Sequence, residues 1–356
     1  MYDDDPLTHW LEYDFYGRDV PKERIATFEK NLHLKLMELI DYIDSKPQSP
    51  DFSKVYFHSL FGPVGFNDTD LQLAQDAYLN VFHMGGKYAD KIQESLLFLI
   101  GTSAKVQSAL FWVDLVDLTK SRDMLRVLRQ KMAIAALAYC AIKTKDTAVT
   151  SALQKLSHHH DPYVRAQAIF YLSRAYTEAN LPIPETVISD MTLVLQEDSN
   201  FEPRFQARRI LRLANVPTQL DNENGVYDLK VVLLSHPRNY RIISIRAEQT
   251  LKDLQRFIQH AFDWDNDHLF SFYMNGRKYD DQYRYSCAYE ESRPPWAYEV
   301  QIGELGLVPN HRFFYHFDYG DDHLFEIEVK EIRPDVRPGN YPRIIGSYGK
   351  SPNQYY

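Results

Sequence analysis

His268 stands upstream of three carboxylates, Asp318, Asp321 and Asp322. An imidazole with carboxylates can hold a divalent metal or pass protons to a substrate. A plainer reading competes with this. Gly320-Asp321-Asp322 suits a hairpin turn, since Gly and Asp accept the backbone angles required, and Asp318 can cap that turn. Trp264 either locks a helix end onto a sheet or stacks on a ligand. Arg277, Tyr279, Tyr319 and His323 flank the same turns and complete a candidate binding surface.

A second set is cationic. Arg204, Arg208, Arg209 and Arg212 fall close together on one helix, and Arg122, Arg126 and Arg129 form a similar row. Such rows contact phosphates or an acidic protein, or else form a solvated face. His158-His159-His160 reads as a solvated inter-helix loop, because consecutive histidines point in different directions. No phosphate-binding glycine loop, nucleophile elbow, zinc-protease helix or paired Cys-x-x-Cys is present. These absences turn the reading away from the common enzyme classes.

The chain has 356 residues, enough for two or three domains. It is 44% hydrophobic and 14% aromatic, with 25 Tyr and 20 Phe, which is a folded composition. Net charge is −9, and residues 221–356 carry 16 Lys+Arg against 21 Asp+Glu, so neither half is a polycation. Cys140 lies in an apolar helical run and Cys287 in a polar loop, so no disulfide is expected. The acidic start lacks the blocks of a signal peptide, and Met132–Ile142 is too short to span a bilayer. A cytoplasmic protein without membrane contact is expected.

From Lys22 to Leu213 the apolar spacing is helical, as in Phe28, Leu32, Leu36, Leu39 and Ile40. The polar loop from Ser45 to Asp51 and Gly85-Gly86 read as breaks. Arg165, Ala168 and Leu172 reappear as Arg204, Ala207 and Leu211, and more weakly as Gln130, Ala133 and Leu137. A period of about 40 residues suits two-helix units, so residues 1–217 are expected to form a HEAT-like α-solenoid, with an irregular helical bundle as the alternative.

After the polar turn at 221–225 the period changes. Tyr227–Leu234 and Tyr240–Ala247 read as strands, and Thr250 with Asp253 as the capped start of a helix with Leu251, Leu254, Ile258 and Phe262 on one face. Asn275-Gly276 marks a tight turn. Arg312–Asp318 and His323–Val329 read as paired strands, residues 281–297 as a loop, and 343–356 as a Tyr-rich tail. The order is that of a ubiquitin-like β-grasp α+β domain. Residues 226–342 resemble the plasmid pRiA4b ORF-3-like proteins, passengers of IS1096-type mobile elements. The resemblance rests on Trp264-Asp-Asn-Asp-His268-Leu-Phe270-Ser-Phe272, Asn275-Gly276-Arg277-Lys-Tyr279 and Tyr315-His-Phe-Asp318-Tyr-Gly320-Asp321-Asp322. The family pattern carries histidines where this chain has Phe270 and Phe325, and a cysteine-bearing tail absent here. The resemblance therefore implies that any metal or catalytic centre built from those groups is lost.

The reading chosen is a non-enzymatic interaction or adaptor protein with a protein partner and no cofactor or metal, in mobile-element or defence biology. The alternatives are a nucleic-acid-associated protein holding phosphates with the arginine rows, and a metal-dependent enzyme centred on His268, Asp321 and Asp322.

Overall fold

The computed structural model describes residues 5–17, 22–45, 66–82, 87–118, 124–289, 292 and 295–355. The chain forms two compact units, Met1–Val187 and Ile188–Tyr356. The expected breaks at 46–51 and Gly85-Gly86 lie outside the described residues, as does Arg122.

The first unit is helical: α1 (Pro6–Gly17), α2 (Lys22–Asp44), α3 (Asp68–Phe82), α4 (Lys87–Thr102), α5 (Ala109–Leu118), α6 (Met124–Thr144), α7 (Thr147–Leu156) and α8 (Pro162–Glu178). Helix α6 is the hub and packs against α1, α4, α5, α7 and α8. Its sequence allows this, because residues Ala133 to Ala138 are buried all round and four of the six are alanine. Small side chains let several helices approach one axis, and Trp10 of α1 stacks on Tyr139 with ring centroids 5.9 Å apart. Helix α8 begins where Asp161 accepts from the Tyr163 amide at 2.9 Å with Pro162 in the first turn, an N-cap followed by the residue that needs no amide partner. No helix among the described residues is long and apolar enough to cross a membrane.

Helix α9 (Glu185–Glu197) spans the division, and α10 (Phe201–Leu213) belongs to the second unit. The division thus falls upstream of the boundary expected at residue 217. The reason is packing: Phe205 of α10 joins the core of the sheet unit, 5.1 Å from Tyr283 and 5.6 Å from Tyr285 by ring centroids. The two most similar repeat segments, 161–172 and 202–211, accordingly lie in different units.

The sheet is seven-stranded and antiparallel, in the order β4-β3-β5-β6-β1-β2-β7. Its strands are β1 (Val226–Leu233), β2 (Tyr240–Arg246), β3 (Phe270–Tyr273), β4 (Arg284–Ser286), β5 (Arg312–Phe317), β6 (His323–Arg333) and β7 (Arg343–Tyr348), with helix α11 (Leu251–Phe262) between β2 and β3. Strands β4 and β7 correct two expectations. Part of the expected loop 281–297 is an edge strand on β3, and the first half of the Tyr-rich tail pairs with β2. The two strands are short, and backbone pairing along existing edges forms them more than their own patterning does.

Alternation decides what each strand buries. Phe313, Tyr315 and Phe317 of β5, Phe270 and Phe272 of β3, and Phe325, Ile327 and Val329 of β6 share a core with Leu251, Leu254, Ile258 and Phe262 of α11. Tyr315 is fully buried, and its hydroxyl accepts from Gln259 at 2.6 Å and Gln255 at 3.3 Å, one helical turn apart on α11. The helix starts in a complete capping box: Thr250 Oγ1 accepts the Asp253 amide at 3.1 Å, and Asp253 accepts the Thr250 amide at 2.8 Å. Thr250→Ala should therefore cost about 1 kcal/mol. Denaturant titration checks this, and an unchanged midpoint would mean the box does not hold the helix.

Candidate functional site

Asp263 ends α11 in the left-handed region, φ 56°. The chain reverses there, and the Trp264 amide bonds back to the Gln259 carbonyl at 3.0 Å. The indole is thereby laid against the start of the central strand β6, 4.7 Å from the His323 ring and 5.4 Å from Phe325 by centroids. His268 Nε2 follows at 3.4 Å from Asp318 Oδ2 and 3.0 Å from the Tyr355 hydroxyl. Asp318 is itself a turn cap. It has φ 53°, and its Oδ1 accepts the amides of Gly320 at 3.0 Å and Asp321 at 3.3 Å.

The expected constellation therefore divides. His268 meets Asp318, Asp321 is exposed, and Asp322 turns to Lys278. His268, Asp321 and Asp322 do not converge on one point. Arg277 is largely exposed, 3.9 Å from Glu202. Tyr279, at φ 67° beyond the Asn275-Gly276 turn, and Tyr319 join a different group.

That group lies on the sheet face away from α11, and His316 is its centre. His316 was not singled out from the sequence. The signal was the alternation of β5: with Phe313, Tyr315 and Phe317 on the core side, residue 316 must point the other way. It is only 2% exposed, yet Nδ1 has no hydrogen-bond partner. Nε2 stands 2.9 Å from Asp322 Oδ1 without the alignment of a hydrogen bond. Three tyrosine rings surround the imidazole, with centroids at 4.9 Å for Tyr319, 6.0 Å for Tyr279 and 6.5 Å for Tyr273. The Lys278 ammonium bonds Asp322 and sits 4.6 Å over the Tyr279 ring, while Ser271 Oγ lies 2.6 Å from the Tyr319 hydroxyl. Tyr279 is 64% and Tyr319 37% exposed, so two wet rings cover a dry imidazole.

The arginine row is already occupied. Arg204 and Arg208 both pair with Asp221, at 3.3 and 3.1 Å, and Arg208 also donates to the Gly303 carbonyl at 3.0 Å. Arg209 donates to the Gln282 carbonyl at 2.6 Å, and Arg212 reaches Glu304 at 3.2 Å. These four residues hold α10 to the rest of the second unit, where the sequence pattern suggested phosphate contacts. Arg129 of the other row lies 3.4 Å from Asp90.

Among the described residues, one set of His, Cys, Asp and Glu groups converges closely enough to share a metal ion: Asp117, His159 and His160, with donor atoms all within 4.8 Å of one another. The protons argue against it. His159 Nδ1 accepts the Asp161 amide at 3.0 Å, so the ring proton is on Nε2, which donates to Asp117 at 2.9 Å. A ring engaged at both nitrogens has no lone pair for a metal. His159 is a half-buried brace whose side chain is 10% exposed, while His158 and His160 on either side are exposed, as expected of a solvated loop. The helical unit also has an open cleft of about 460 Å³ lined by His33, Asn67, Asp68, Thr69, Asp70 and Lys105. There Asp70 is held by His33 at 2.6 Å and Asn67 at 2.8 Å, and Lys105 pairs with Asp68 at 3.1 Å, so the groups cap α3. Both cysteines are free, and burial pushes the Cys140 thiol up to about 11.

Burial, and then the Lys278 ammonium, hold His316 below its ordinary value; burial does the same to His311. A histidine depressed in the fold binds its proton more readily when unfolded. Its contribution is complete above the unfolded value, about 6.5, and is lost as pH falls below it. Asp322, held low first by its hydrogen bond to Lys278, acts in a separate window below the ordinary carboxylate range. Stability should thus fall as pH drops from about 6.5, and His316→Gln should flatten part of that slope in denaturant titrations. An unchanged slope would contradict the buried neutral imidazole.

No curated protein matches the chain. A crystal structure of a protein of unknown function from Methanosarcina mazei Go1 is 21% identical over 37% of this chain and 73% of its own, with a TM-score of 0.32. It is the sheet-bearing stretch, residues 225–354, through β7 and the segment after it, that matches the family model described as plasmid pRiA4b ORF-3-like protein.

Proposed function

We propose that this protein is a non-enzymatic adaptor. The sheet unit recognises a protein partner through the cluster of Tyr273, Tyr279, His316 and Tyr319, and the helical unit supplies a second contact, so that two components are bridged. The observation that carries the reading is the buried imidazole, with Nε2 beside Asp322 and Nδ1 without a hydrogen-bond partner, beneath two exposed tyrosines. An unsatisfied buried polar group costs about 1–3 kcal/mol, and a partner that supplies the missing bond recovers it. Tyrosine is enriched at such surfaces because its ring buries while its hydroxyl stays paired.

The rival readings have less to draw on. A phosphate-holding row would need Arg204, Arg208, Arg209 and Arg212, which have internal partners. An enzyme built on His268, Asp321 and Asp322 would need groups that point apart. We read the helix pair α7 and α8 as HEAT-like. We keep the term β-grasp for the element order from β1 through α11 to β3, since every strand pairing in this sheet is antiparallel. The plasmid origin in the family's description supports a setting in mobile-element or defence biology.

Tyr279→Ala with Tyr319→Ala should reduce co-purification of a stoichiometric partner from the native host by tenfold or more, since interface aromatics cost about 2 kcal/mol each. The thermal midpoint should stay near wild type because both rings are exposed. Full retention of the partner by the folded double variant would sink the reading.

A further inference from the structure

Beyond β7 the chain does not leave the domain. Residues 349–355 run as a strap across β2 and the end of α11, and the groove beneath them consists largely of donors. Arg241 Nη1 donates to the Tyr348 and Gly349 carbonyls, both at 3.3 Å, and Nη2 to Ser351 Oγ at 2.7 Å. Asn239 donates to the Lys350 carbonyl at 2.9 Å. The Trp264 indole N–H donates to the Pro352 carbonyl at 2.9 Å, and the Asp265 amide to Gln354 Oε1 at 2.6 Å. Tyr355 ends the strap with its hydroxyl between His268 Nε2 at 3.0 Å and Asp267 at 3.3 Å.

The two sides of this contact differ. The groove is held by the domain: its Asp265, Asp267 and His268 end is exposed, while Arg241 is 6% exposed beneath the strap, donates Nε to the Ala261 carbonyl at 2.9 Å and lies 4.8 Å over the Phe262 ring. Trp264 is braced by Phe317, His323 and Phe325. The strap brings little apolar area. Of residues 350–355 only Gln354 is buried, and Lys350, Asn353 and Tyr355 are exposed. Hydrogen bonds therefore hold it, and a segment with few buried apolar contacts opens locally at a small part of the global stability. When it opens, the donors stay in place and need acceptors.

We infer that this groove is a peptide-recognition site, occupied in cis by residues 350–355, for an extended segment of a partner protein. The segment it fits is one reading proline, any residue, glutamine, tyrosine. Proline favours the extended backbone and offers its carbonyl to Trp264; the glutamine amide oxygen meets the Asp265 amide; the phenol sits between His268 and Asp267. The strap gates the site, because the apparent affinity of an outside segment is divided by the fraction of molecules with the strap open. The site uses none of the residues of the tyrosine cluster, so the two readings fail separately.

The test uses the full chain and a labelled hexapeptide, Lys-Ser-Pro-Asn-Gln-Tyr, followed by anisotropy. One variant loosens the strap: Gly349→Ala, which forces a side chain into φ +78° against Asn239, combined with Gln354→Ala. It should bind the peptide about tenfold tighter than wild type or better, and adding His268→Ala should reverse most of the gain. A folded loosened variant that binds no tighter than wild type would overturn the inference, as would indifference to His268→Ala. Hydrogen exchange at the Trp264 indole N–H of the wild type gives a readout free of any variant. It should exchange faster than the β1 amides, and exchange at the rate of global unfolding would make the strap a fixed part of the fold.

Discussion

The interaction on which the sheet unit depends is the burial of one sheet face against α11. Phenylalanines at alternate positions of β3 and β5 fill that layer, and Tyr315 enters it only because Gln255 and Gln259 satisfy its hydroxyl. A strand cannot bury one residue on a face without turning its neighbour to the other. Packing Phe270, Phe272, Tyr315 and Phe317 inward therefore places Ser271, Tyr273 and His316 outward, side by side on adjacent strands. The tyrosine–histidine cluster is thus a consequence of the core and would disappear with any slip in register.

Charge serves the same unit in a different way. Asp221 collects Arg204 and Arg208, so two guanidiniums of the row that looks basic in sequence are engaged within the second unit, where α10 packs on the sheet. Asp318 and Asp322 take the left-handed backbone angles that the β5–β6 turn requires, and their carboxylates then brace His268 and Lys278. Acidic side chains act here as structural acceptors first, and the residual chemistry of the surface is left to tyrosine and histidine.

Much of this was legible from residue types. Strands β1, β2, β5 and β6 were legible from β-branched, apolar or alternating runs, and Thr250 with Asp253 marked the start of α11. The family resemblance lay in the same stretch that the family match covers. What stayed hidden depended on partners distant in sequence. Strand β7 forms because β2 has an open edge, the arginines are engaged because Asp221, Gln282, Gly303 and Glu304 come to them, and residues 350–355 settle because Arg241 and Trp264 wait for acceptors. His158 to His160 read as solvated, but the protons on His159 are set by Asp117 and the Asp161 amide, which spacing alone does not place together.

The claim on which the account stands is that the sheet face carrying His316 is where a partner docks. A photo-crosslinking residue placed at position 279, and separately at exposed Leu110 of the helical unit, tests it in the native host. The account predicts one discrete adduct from position 279 that survives in the otherwise wild-type chain and is lost when His316→Ala is added. Adducts from Leu110 alone, or an adduct at 279 indifferent to His316, would contradict it.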